Sequence, residues 1–198
     1  DRRVEGDGID VIFDVEIINF QIFPEVIISL NLQQFGGATA LIEADFKGFI
    51  ELYIAYFNRA PDAEGLYFWG TAYANGTTME QMAELFAPQD ETLATYPEGT
   101  SNTEFATAVY NNVLGRIPDQ AGFDFWVGVL DAGGVTRDQF ILEVLRGVQD
   151  GSPDRGYLDN KVDVGAYFSV HKGMSDTGNA AAAMQLYDGT EASIQTVK

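Results

Sequence analysis

The chain has 198 residues, 46% hydrophobic and 13% aromatic, which is ample for a packed core and argues against global disorder. Thirty acidic residues face eleven Lys and Arg, a net charge of −19. That balance argues against a nucleic-acid partner and against an anionic membrane surface, because both need a basic face. It suits solubility, high-salt surroundings or a divalent cation. No cysteine is present, which excludes disulfides, thiolate zinc sites and cysteine nucleophiles. No apolar run is long enough for membrane insertion. The chain begins at Asp1 rather than Met and reads as a fragment or a processed product.

The first segment, residues 1–38, reads as β structure. Val11-Ile12-Phe13, Ile17-Ile18-Asn19-Phe20 and Val26-Ile27-Ile28 are short β-branched and aromatic runs, punctuated by Gly6, Gly8, Asp14 and Pro24. Gly6-Asp7-Gly8-Ile9-Asp10-Val11-Ile12-Phe13 fits the calcium-binding nonapeptide G-G-x-G-x-D-x-U-x from its second position onward, with Glu5 in place of the first glycine. Asp7 and Asp10 are therefore candidate ligands for Ca²⁺. One repeat cannot complete such a site, since the ion lies between neighbouring coils. Two readings stay open: a Gly-Asp turn before a strand, or the last coil of a calcium-binding β-roll.

Gly36-Gly37 marks the change to a mainly α chain, residues 39–198. Phe46, Phe49, Ile50, Tyr53 and Phe57 share one helix face. Pro61 ends that helix and Asp62 caps the next, which carries Trp69 and Tyr73. After Gly76, Thr77 or Thr78 caps a third helix with Met79, Met82, Ala83 and Phe86. Residues 87–100 read as an irregular connection. The plan then recurs: Phe105, Ala108, Val109 and Val113 before the corner, Phe123, Trp126, Val127 and Leu130 after it. Thr136 then caps a helix with Ile141, Val144, Leu145 and Val148. Repeat one covers about 45–87, repeat two about 102–148, and C-terminal helices occupy 153–198, with helical candidates at 157–172 and 177–188 after a loop at 149–156.

The two copies share the phrase R-x-P-D-x-x-G-x-x-F-W at an offset of 57 residues. It comprises Arg59, Pro61, Asp62, Gly65 and Trp69, then Arg116, Pro118, Asp119, Gly122 and Trp126. Proline ends one helix and aspartate starts the next. A glycine one turn into a helix costs about 1 kcal/mol of propensity relative to Ala, so it marks a close approach. Each Arg lies near its own Asp in sequence, and each Trp is placed to anchor the corner to the core. The alternative reading is that Arg, Asp and Trp line sugar-binding grooves.

No G-x-S-x-G elbow, P-loop, dinucleotide fingerprint or EF-hand loop is present. His171 is the only histidine and lies late in a tail helix, where the macrodipole favours it. Glu80 and Glu84 read as a solvated face, and Asp159 with Asp163 as a weak candidate cation pair. Nothing selects two carboxylates for glycoside hydrolysis.

At the corner phrase, carried by Leu52-Tyr53 to Phe86 and Val109-Tyr110 to Leu145, the chain resembles a bacterial helical domain of unknown function. That family is built on R-x-P-D-x-x-G-x-x-x-W repeats and is distantly similar to phycobilisome linker domains. The likeness covers roughly residues 45–190. Gly6-Asp7-Gly8 and Val15-Glu16-Ile17-Ile18-Asn19-Phe20 are similar to the strands that separate RTX-type calcium repeats from this helical module. The resemblance implies an extracellular, cell-surface, calcium-rich setting and export by type I secretion, as in surface-layer and adhesin-like proteins. It carries over no catalytic residue. The expected function is a non-catalytic binding or assembly module, with a surface polysaccharide or self-association as the partner. The rivals are a polysaccharide hydrolase and a purely structural linker. A binding site is expected between the two copies, or in segments 87–100 and 149–156.

Overall fold

Helix α1 (Glu43–Phe57) is the axis on which the other helices pack. Its second half, Phe49-Ile-Glu-Leu-Tyr-Ile-Ala-Tyr-Phe, is apolar nearly all round, and such a helix must be covered on every side. Phe49, Ile50, Leu52, Ile54, Ala55 and Tyr56 are completely buried. The computed structural model describes residues 17–23, 26–31 and 41–197. The chain is mainly α. In order, α1 is followed by α2 (Ala63–Ala74), α3 (Met79–Phe86), α4 (Asp90–Thr95), α5 (Asn102–Leu114), α6 (Gln120–Asp131) and α7 (Arg137–Arg146). Then come α8 (Pro153–Ala166), a π-helical turn at Tyr167–His171, α9 (Thr177–Leu186) and α10 (Glu191–Val197). Ahead of them, β1 (Ile17–Phe23) and β2 (Val26–Asn31) pair antiparallel, Phe20 opposite Ile28. The nonapeptide-like stretch with Asp7 and Asp10 lies outside the described residues.

One side of α1 meets the helices of both repeats. Tyr53 and Tyr56 pack with Phe86 from α3, Phe105 and Val109 from α5, and Phe140 from α7. The other side, Ile50 and Ile54, packs on Val162 and Val164 from the end of α8, on Phe168 from the π turn, and on Ala180 and Met184 from α9. The tail therefore completes the core. Gly165 lets α8 come close to α1, since a Cβ there would lie 2.9 Å from Ile50 Cγ2. Arg155 of α8 is ion-paired with Glu51 of α1 and, at 3.1 Å, with Asp159. Burial raises the Glu51 carboxyl above its ordinary value despite that guanidinium.

Four local features differ from the sequence expectation. Segment 87–100 contains α4, tied down by Thr92 Oγ1 donating to Phe86 O at 2.7 Å. The helix expected from 157 begins at Pro153, because Ser152 caps it and proline is well suited to a first helical position. Its far end widens into the π turn, where Ser169 Oγ donates back to Gly165 O at 2.9 Å. A further helix, α10, follows Gly189-Thr190, whose turn is held by the Asp188 carboxylate.

Candidate functional site

Each corner phrase folds into the same local joint. Asp62 accepts from Gly65 N at 2.7 Å and Asp119 from Gly122 N at 2.9 Å, so each caps its helix. Arg59 Nη1 donates to Ala60 O at 3.0 Å, and Arg116 Nη1 to Ile117 O at 3.2 Å. Each arginine then reaches an acid in the first turn of the helix that follows its repeat. Arg59 pairs with Glu91 of α4 through Nε (2.5 Å) and Nη2 (2.9 Å). Arg116 pairs with Asp154 of α8 through Nε (2.7 Å) and Nη2 (2.6 Å). The bidentate fork fixes orientation as well as charge. Arg116 holds the Asp154 carboxyl below its ordinary value. Asp154 belongs to the segment read from sequence as a loop.

The copies are unequal because the segment after α8 bonds to the first corner and not to the second. Ala60 N donates to Ala180 O at 3.2 Å and Ala63 N to Met174 O at 2.8 Å. Arg59 is consequently 5% exposed and also pairs with Asp62 at 3.0 Å, whereas Arg116 is exposed and makes no pair with Asp119 among the described residues. Pro61 is buried and Pro118 half-buried. The glycines differ in the same sense. A Cβ on Gly65 would sit 2.4 Å from Tyr53 Oη, but one on Gly122 would meet only the Asp119 carboxylate at 3.3 Å. Gly65→Ala is therefore expected to cost about 1–3 kcal/mol through overpacking. Gly122→Ala is expected to be neutral or to gain up to about 1 kcal/mol of helix propensity. Urea midpoints of the two variants test this, and equal losses would refute the assignment.

Trp69 and Trp126 are half-buried rather than central. Each lies edge-on to a buried phenylalanine, Trp69 to Phe86 at 5.2 Å and Trp126 to Phe140 at 5.4 Å between centroids. The outer face of each Trp carries its exposed neighbour, Phe68 at 5.0 Å and Phe125 at 5.3 Å. Each corner opens on a cleft lined by equivalent residues. Tyr53, Arg59, Trp69 and Glu91 line one of about 430 Å³, and Tyr110, Arg116, Trp126 and Asp154 line one of about 200 Å³. The arginines there already have carboxylate partners.

A larger cavity, about 520 Å³, opens between the copies and the tail. Asn58 of the first corner, Thr95 and Tyr96 of the connection, and Asn111, Asn112 and Gly115 at the end of α5 form part of its wall. Tyr157 and Lys161 of α8, Gln185 at the end of α9, and Tyr187 and Asp188 after it line the other side. The wall is set by helix ends. Asn58 terminates α1 in the left-handed region (φ 50°), which asparagine tolerates. Gly115 terminates α5 at φ 64°, and a Cβ there would lie 2.4 Å from the Tyr157 ring, so glycine lets that ring lie against the backbone. Tyr157 packs on Tyr187 at 5.0 Å, whose hydroxyl accepts from Asn160.

Asn112 links this wall to the core. Its amide donates to Ile54 O, Ala55 O and Tyr96 Oη at 3.1, 3.3 and 2.7 Å. Lys161, 3% exposed, donates to Asn112 O at 2.6 Å and approaches Asn112 Oδ1 at 3.4 Å. Burial pulls its amine down to about 8. Sequence reasoning missed Lys161, yet a signal exists: it falls on the inward stripe Leu158, Val162, Gly165, Phe168, where a cation is out of place.

Residues 83–147 match the family model described as "Domain of unknown function (DUF4214)". No curated protein and no solved structure matches the chain. The DUF4214 match runs from α3 to the end of α7 and contains the second corner, Arg116 to Trp126. It supplies the α4 and α5 walls of the cavity, while Asn58, Tyr157 and Lys161 come from outside it. Among the described residues no cluster of three or more His, Asp or Glu converges as a metal site, and no helix is long and apolar enough to cross a membrane. Asp159 is engaged by Arg155, and Glu80 by Arg146. His171 is exposed and stacks on Tyr167 at 5.5 Å.

Proposed function

We propose that the chain is a non-catalytic binding module of a type I-secreted bacterial surface protein, and that its cavity holds a segment of surface polysaccharide. The cavity between the repeats and the tail is the observation that carries this reading. Its amides and hydroxyls, set on helix ends, and the half-buried Tyr157 ring offer directional polar contacts and a flat face, the combination a pyranose ring uses. The acidity of the chain suits a calcium-rich exterior. Asp7 and Asp10 belong to the proposal as Ca²⁺ ligands completed by a neighbouring coil. Self-association in a surface lattice is the alternative mode of assembly. A purely structural role is favoured by the corner arginines, whose partners are other parts of the chain.

Pull-down of the full chain on purified surface polysaccharide, with size analysis with and without Ca²⁺, tests the proposal. Retention is expected, with loss in Tyr157→Ala at unchanged fold. No retention together with a strict monomer in both conditions would leave the structural-linker reading in its place.

A further inference from the structure

The cavity wall contains a cation whose bonding is incomplete. An ammonium has three N–H donors. Among the described residues Lys161 directs its hydrogen bonds at Asn112 alone, through O at 2.6 Å and Oδ1 at 3.4 Å. No acidic side chain lies within ion-pair distance of it among the described residues. Asp188, the acid on the cavity wall, is exposed, makes no ion pair with Lys161, and accepts from Thr190 N (3.0 Å) and Thr190 Oγ1 (2.6 Å) through Oδ1. The Tyr157 ring flanks the ammonium at 5.7 Å without supplying a charge.

Helix ends explain how the charge is tolerated. Asn112 lies in the last turn of α5, and its side chain holds carbonyls from the last turn of α1. Carbonyl ends carry partial negative charge, about half an elementary charge per helix. Only the α5 end touches the ammonium directly, while the α1 carbonyls are taken by the Asn112 amide, so the direct contact supplies about half a counter-charge and leaves the remaining donor without an acceptor. An ion out of water costs several kcal/mol unless it is paired, and a charge-assisted hydrogen bond is about twice as strong as a neutral one. An anionic group entering the cavity therefore gains more at Lys161 than a hydroxyl does.

We infer that the cavity selects a carboxylate-bearing saccharide, with the sugar's carboxylate bound to the Lys161 ammonium and its ring against Tyr157. This rests on the saccharide-binding reading above and adds the ligand's charge to it. Asn111 and Gln185, also on the cavity wall, carry amides that can bond to the ring hydroxyls.

Matched probes separate charge from sugar shape. Oligogalacturonate and oligoglucuronate are compared with the same oligosaccharides after reduction of their carboxyls to hydroxymethyl groups. The full chain is titrated at pH 7 and 0.15 M salt, where the Debye length of about 8 Å screens the overall negative charge. In at least one pair the acidic member is expected to bind about ten-fold tighter or more. Lys161→Met is expected to erase the preference, bringing the two members of each pair to equal affinity. The ¹³Cε signal of Lys161 in the unsubstituted chain is expected to move with the acidic member only, a readout that needs no variant. Equal affinities within both pairs overturn the charge inference and leave saccharide binding standing. A preference that survives Lys161→Met overturns the role of this lysine. Failure of all four probes overturns the charge inference, and the polysaccharide pull-down then decides the wider reading independently.

Discussion

Phe86→Ala is expected to be the most damaging single truncation near the first corner, at about 3–5 kcal/mol. A typical domain has only about 5–15 kcal/mol of stability in total. Phe86 is completely buried and holds α1, α2 and α3 together. Its ring lies 5.2 Å from Tyr53, 6.0 Å from Tyr56, 4.7 Å from Phe57 and 5.2 Å from Trp69. Trp69→Ala removes a larger side chain but a half-buried one, and part of its space opens to solvent. Its expected loss is about half that of Phe86→Ala. The double variant is expected to lose less than the sum, because the two rings touch. Urea unfolding of the three variants reads all of this. A larger loss for Trp69→Ala would show that the tryptophan, not the phenylalanine beneath it, is the anchor. Trp126 on Phe140 repeats the geometry, but Phe140 lies one helical turn earlier in α7 than Phe86 does in α3.

The corners were legible because their determinants are local. Proline, a capping aspartate and a glycine one turn later act within four residues, and their chemistry does not depend on the rest of the chain. The helical stripes were legible for the same reason, since Phe49, Ile50, Tyr53 and Phe57 repeat with the helical period. What Arg116 pairs with was not legible. Sequence places Asp119 three residues away, but the guanidinium goes to Asp154, brought in by α8. The burial of Arg59 against the exposure of Arg116 likewise depends on the segment after α8, which bonds to the first corner and not to the second. The cavity is the extreme case. Its wall comes from Asn58, α5, α8 and the end of α9, and only the packing of the tail on α1 brings them together. Lys161 shows as a cation on an apolar stripe, but its partners in Asn112 are 49 positions away. Segment 87–100 hid α4 because a six-residue helix offers too few positions for a period to show.

Lys161 also gives the fold an unusual response to alkali. Its amine titrates near 8 in the folded chain and at an ordinary 10.5 in the unfolded one, with burial as the cause. Between those values the unfolded chain binds the extra proton, so stability rises with pH across that window. Below about 8 both states are protonated and the full penalty is present, on the order of 3 kcal/mol. Burial acts the other way on Tyr53, Tyr56 and Tyr96, whose hydroxyls are pushed well above 10. Above pH 10 the unfolded tyrosines lose protons that the folded ones keep, and stability falls. Urea unfolding is therefore expected to show stability climbing from pH 7.5 to a maximum between about 9 and 10, then dropping. Lys161→Met is expected to flatten the climb and keep the drop. At pH 7 the variant is expected to be between equal and about 2 kcal/mol more stable, since a buried charge replaced by an apolar side chain of similar length is often a net gain. A climb of the same size in the methionine variant would assign it to another group. A flat profile in the unsubstituted chain would mean that Lys161 keeps its ordinary proton affinity, and that the counter-charge it lacks in the cavity is supplied by solvent.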